Sequence, residues 1–142
     1  MNAETSRHFI DTNILVYAHD KSAGEKHEKS KVLIMDLWSS KKGCLSIQVL
    51  QEFYVSIVKK VAAPVPPEEA AAIIEHLGQW KVHSPSVIDV LHATRLQQRY
   101  EISFWDAMVV CSAVMMDCSI LWSEDMSHGQ RYEGVTVRNP FI

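Results

Sequence analysis

Short apolar runs alternate with longer amphipathic stretches along the whole chain. Phe9-Ile10, Cys44-Leu45, Trp80-Lys81-Val82-His83 and Ser119-Ile120-Leu121-Trp122 read as strands, with Val135-Thr136-Val137 as an edge strand. Helices are expected at 13–18, 25–40, about 47–60 and 67–78, then from a Ser84-Pro85 cap to about Arg99, and from Ser103 onward. Lys41-Lys42-Gly43 stops the second of these, as cations and glycine do at helix ends. In the third, Ile47, Leu50, Phe53, Tyr54, Ile57 and Val58 share one face. Glu52 lies opposite them, so periodicity places it in solvent. The last helix continues Ala-Met-Val-Val-Cys-Ser-Ala-Val-Met-Met after Asp106, apolar all round, and is expected to be the central buried helix.

No Asn-Gly hairpin signal lies between apolar runs. Strands that alternate with helices in this way predict an α/β fold, a mostly parallel sheet with helices on both faces. Right-handed crossovers then bring the carboxyl ends of the strands to one edge, where ligands of open α/β sheets bind. With 142 residues, no repeat and no low-complexity tract, residues 1–142 are expected to form one domain.

Composition narrows the function classes. Hydrophobic content of 47% and charged content of 22% are ordinary for a globular protein, and no apolar run is long enough to span a bilayer. Met1–Arg7 is polar and lacks a signal-peptide core, so the cytoplasm is expected. Three cysteines, Cys44, Cys111 and Cys118, have no metal spacing and read as reduced core residues. The net charge of −3 offers no global basic field, so any nucleic-acid contact needs a local patch. Lys41, Lys42, Lys59, Lys60, Arg95, Arg99 and Arg131 are its candidates, although most such residues are solvated surface charge. Trp38, Trp80 and Trp105 are candidates for base stacking, with core packing the commoner role. His128, three residues past Asp125, is a candidate for phosphate contact, a role loop histidines seldom have.

The chemistry concentrates on carboxylates. Phe9-Ile10-Asp11-Thr12-Asn13 is a strand that ends on an acid and enters a helix without a loop. Asp106 heads the buried helix, and Ser123-Glu124-Asp125 follows an apolar strand. Asp11, Asp106 and Asp125 can therefore converge at one sheet edge, joined by Glu52 if its helix borders the cleft. Each is also explained by capping or solvation alone. At about 5 Å and an effective dielectric of about 20, each pair of carboxylates repels by about 3 kcal/mol. A converging cluster calls for cations, and oxygen-only ligands favour Mg²⁺ or Mn²⁺, one or two ions. The matching chemistry is phosphodiester hydrolysis. An aspartyl phosphotransferase, which wants a second acid two residues after the first, is disfavoured because Asn13 stands there.

With these acids in order, the chain resembles a PIN domain of the VapC type, the toxin ribonuclease of type II toxin–antitoxin pairs. The resemblance rests on residues 9–17, Ser46 to Tyr54, Ser103-Phe104-Trp105-Asp106-Ala107 and Leu121 to Met126, with Gly129 and Asn139-Pro140 after them. It implies a three-layer α/β/α sandwich with a central, mostly parallel four- to five-stranded sheet. It implies metal-dependent endoribonuclease activity, with Asp11, Glu52, Asp106 and Asp125 as the catalytic and metal-binding quartet. It also implies Asn13 and Ser123 as supporting polar residues, a small antitoxin partner and a homodimer. Glu124 is an extra acid whose orientation relative to Asp125 the sequence leaves open, the family pattern favouring Asp125. A catalytically silent RNA- or partner-binding module and a DNA-directed nuclease remain as alternatives.

Overall fold

The computed structural model describes residues 6–142. Most of the polar N-terminus, read above as lacking a signal peptide, lies outside the described residues. The strands are β1 (Arg7–Ile10), β2 (Gly43–Ser46), β3 (Lys81–His83), β4 (Cys118–Trp122), β5 (Arg131–Tyr132) and β6 (Val135–Arg138). They form one sheet in the order β3-β2-β1-β4-β6-β5, parallel throughout except for the β5–β6 pair.

β1 lies near the middle because Phe9 and Ile10 are apolar on both faces and fully buried. The sheet has six strands rather than four or five. The additional one, β5, has two residues, too few for a periodic signal. β6 is therefore not an edge strand: it pairs with β4 on one side and β5 on the other.

The helices are α1 (Thr12–His19), α2 (Glu25–Ser40), α3 (Ile47–Val55), α4 (Pro67–Leu77), α5 (Val87–Tyr100) and α6 (Phe104–Met115). The connections β1→β2 and β2→β3 step in one direction, and β3→β4 returns across β2 and β1. Right-handed crossovers therefore place α1–α4 on one face and α5–α6 on the other. The three-layer α/β/α architecture follows. α6 is the central buried helix, every residue from Ala107 to Ala113 being buried. No helix among the described residues is long and apolar enough to cross a membrane. Cys44, Cys111 and Cys118 are free and buried.

Three local details differ from the sequence reading. The helix expected to run to residue 60 ends as α at Val55 and continues as a π turn over Ser56–Lys60, closed by Val61 N–H donating to Ser56 O at 3.2 Å. The cap of α5 is Ser86 rather than Ser84-Pro85. Its hydroxyl accepts from Asp89 N–H while the Asp89 carboxylate accepts from Ser86 N–H, a complete capping box. Finally, α2 ends on Lys41 in the left-handed region (φ 62°), and Gly43 has another task. It lies in β2 under Trp80, whose ring atoms stand 2.4–2.8 Å from where a Cβ would be. Trp80 in turn meets Trp38 edge to face at 5.4 Å.

Gly43→Ala is expected to push Trp80 off Trp38 and to destabilise the fold by about 1–3 kcal/mol. Urea denaturation checks this as a lower midpoint at unchanged slope.

Candidate active site

Asp11 is set by the junction of β1 and α1. Its backbone N–H donates to Trp122 O at 3.0 Å, an extension of the β1–β4 pairing. The carboxylate is buried and held on both oxygens. Oδ1 accepts from Thr12 N–H and Oδ2 from the Ser123 hydroxyl, each at 2.8 Å. Ser123, fully buried, also accepts from Met126 N–H at 3.3 Å, so it ties the loop after β4 to Asp11.

That loop separates its two acids. Glu124 turns to Lys26 of α2, Oε1 lying 2.6 Å from Nζ. Asp125 lines the cleft, and its Oδ2 accepts from the Asn13 amide at 2.5 Å. The orientation left open by the sequence is thereby resolved: Asp125 faces the cleft and Glu124 faces Lys26.

Glu52 is solvent-exposed, as its periodicity predicts, but the solvent it meets is the water of the cleft. Gln48, Glu52, Ser56 and Lys60 recur every four residues and form one wall. Glu52 Oε1 accepts from the Thr12 hydroxyl at 3.0 Å and from Gln48 Nε2 at 3.3 Å. Gln48 Nε2 also donates to Trp105 O at 3.3 Å, which joins α3 to the head of α6. Its Oε1 is buried with no hydrogen-bond partner among the described residues. Asp106 stands in the first turn of α6. Ser103 Oγ accepts from its N–H at 3.1 Å, and its carboxylate lines the cleft.

Asp11, Glu52, Asp106 and Asp125 thus meet on one cleft of about 460 Å³, together with Asn13. Thr12 and Gln48, which position Glu52, were missed at the sequence level. Their signals were adjacency to Asp11 and a four-residue spacing before Glu52. His128 is occupied elsewhere, its Nδ1 accepting from Asn139 N–H at 3.0 Å. Trp38 and Trp80 pack against the core. Arg99 pairs with Glu133 at 3.0 Å. A second acid–histidine–hydroxyl array, Asp89, His83 and Ser112, links β3, α5 and α6 at 3.1 and 2.8 Å, but Ser112 is wholly buried and the array serves packing.

The electrostatics are those of crowded acids. Burial, then the charges of Asp106 and Asp125, pushes the Asp11 carboxyl up to about 6, against the hydrogen bonds from Ser123 and Thr12. Asp125 is raised by burial first, then by Glu124 and Asp106, with Lys26 opposing. Among the described residues no three acidic, histidine or cysteine side chains are already drawn together around one ion-sized point. The donor set is nonetheless all oxygen, mutually repelling and open to water, which fits a hard divalent cation that keeps part of its hydration.

A mostly parallel sheet with four carboxylates on one cleft defines an acidic α/β-sandwich site of the kind nucleases use. The PIN domain family model matches residues 8–131, and the chain belongs to the PIN domain family. No curated protein matches the chain. Among solved structures the fold is similar to a toxin–antitoxin complex from Klebsiella pneumoniae, at TM-score 0.68 and 18% identity over 93% of this chain and 96% of that one. It is similar to VapBC2 from Rickettsia felis bound to a fragment of its promoter, at TM-score 0.63 and 18% identity over 93% and 97%. It is also similar to VapC20 of Mycobacterium tuberculosis, a toxin that cleaves the sarcin–ricin loop, at TM-score 0.61 and 20% identity over 80% and 86%. At these identities the likeness is one of fold.

Because burial raises Asp11 from 3.8 to about 6, its contribution favours folding below about pH 4 and is lost as pH rises through about 6. In EDTA, ionised Asp11 then weakens the fold by up to about 3 kcal/mol. Asp11→Asn is expected to be more stable than the parent at pH 7.5 by up to that amount and no more stable at pH 4. Urea midpoints at the two pH values check it.

Proposed function

We propose that residues 1–142 form one PIN domain that hydrolyses RNA phosphodiesters with Mg²⁺ or Mn²⁺ and acts as the cytoplasmic toxin of a toxin–antitoxin pair. The observation that carries this reading is the meeting of Asp11, Glu52, Asp106 and Asp125, from four separate segments, on one open cleft. Family membership supports a nuclease, and similarity to toxin–antitoxin complexes supports a toxin.

Asp11, Asp106 and Asp125 would hold the cation, with Glu52 as a further ligand or as the group that orients the attacking water. When bound, the ion supplies Lewis acidity toward a phosphate oxygen and lowers the pKa of an attacking water. Ser123 and Thr12 N–H keep Asp11 aimed and ionisable. Asn13 holds Asp125 toward the cleft. Thr12 and Gln48 fix Oε1 of Glu52, which leaves Oε2 to bind the ion or to orient and deprotonate the attacking water.

Apolar side chains left in solvent suit the partners of such a toxin. α2 exposes Val32 and Met35 beside a groove that includes Trp122 and Pro140, a surface for an antitoxin segment. α5 exposes Val87, Ile88 and Leu91, a surface for a second copy.

Purified, partner-free protein is expected to cut a mixed single-stranded RNA pool in Mn²⁺ or Mg²⁺. Cutting should stop in EDTA and fall at least about 100-fold in Asp106→Asn, with an unchanged circular dichroism spectrum. Cutting that survives both would sink the reading.

A further inference from the structure

One wall of the cleft carries an aromatic ring that packing does not explain. Trp105 is 64% exposed. The other three tryptophans are half-buried and engaged: Trp38 and Trp80 meet edge to face, and Trp122 donates to His8 Nδ1 at 2.9 Å. Trp105 is nevertheless held in place. Its carbonyl accepts from Gln48, and its ring meets Phe104 edge to face at 5.2 Å, while Phe104 packs against the core. Trp105 and Asp106 both line the cleft. A planar group resting on the indole therefore shares the cleft with whatever Asp106 acts on. On the π turn at the end of α3 lies Lys60, the one lysine or arginine among the described residues lining the cleft.

We propose that Trp105 is a stacking platform for an unpaired base of single-stranded nucleic acid in the cleft that Asp106 lines, and that Lys60 pairs with a backbone phosphate in the same cleft. This rests on the nuclease reading and narrows its substrate class. A base inside a duplex is covered on both faces by its neighbours and cannot reach the indole. Stacking on a π face reads no base edge, so Trp105 requires a base there without choosing which. Lys60 acts on charge alone and adds salt dependence.

The test is binding by the full chain in EDTA of a short single-stranded oligoribonucleotide and of an abasic strand of equal length. The base-bearing strand should quench the tryptophan fluorescence of the parent. Trp105→Phe should bind within about threefold but lose that quench. Trp105→Ala should weaken the base-bearing strand about tenfold, at every salt concentration, and leave the abasic strand unchanged. Lys60→Ala should weaken both strands alike and lower the slope of log K against log salt by about one. If Trp105→Ala binds both strands as the parent does, the platform is overturned, including in favour of a protein partner for this tryptophan. The nuclease reading then stands, provided that variant still cuts RNA in Mn²⁺. If the parent neither binds nor cuts the base-bearing strand, the nuclease reading falls and takes the platform with it.

Discussion

A carboxylate buried at the carboxyl end of the central strand is the constraint on which the site depends. Asp11 leaves water because Phe9 and Ile10 draw β1 into the middle of the sheet. An unpaired buried charge is costly, so the surrounding chain must supply donors. It does so from two directions: Thr12 N–H at the start of α1 and the Ser123 hydroxyl at the end of β4. The Ser123 bond has a second consequence. It anchors the loop after β4, and the anchored loop sends Asp125 into the cleft and Glu124 toward Lys26.

The remaining acids reach the cleft by different physical routes. Asp106 stands at the head of a helix whose next seven residues, Ala107 to Ala113, are buried, so it marks where the first turn leaves the core. Exposed backbone N–H groups and the helix dipole favour an acid there. Glu52 has no such help. It lies mid-helix on α3 and is held by Thr12 and Gln48, so its position depends on how α3 packs against α1 and α6. The π turn that follows α3 extends this wall to Lys60. Such turns often mark functional sites.

Strand and helix order, the parallel sheet, the buried α6 and the capping segments at Asp11 and Ser103 were legible in the chain. Each follows from local apolar periodicity and capping chemistry, which act over a few residues. The two-residue β5, the interior place of β6 and the Ser86–Asp89 box were not legible. β5 is shorter than any periodic signal, β6 gains its second neighbour only from β5, and Ser84, Pro85 and Ser86 are all plausible starts for one helix. Gly43 carried a misleading signal: its place after two lysines reads as a helix stop, whereas its lack of a Cβ makes room for Trp80.

At the site, the sequence by itself determined which residues carry charge and which segments end on them. Only the tertiary structure decided that Glu52, solvated by periodicity, faces the cleft rather than bulk water. It also decided that Asp125 and not Glu124 turns inward, and that Trp105 stays in solvent while Trp38 and Trp80 pack. The reason is range. Capping and periodicity are written in neighbouring residues. The partners that settle these side chains come from far along the chain: Thr12 for Glu52, Asn13 for Asp125, Lys26 for Glu124.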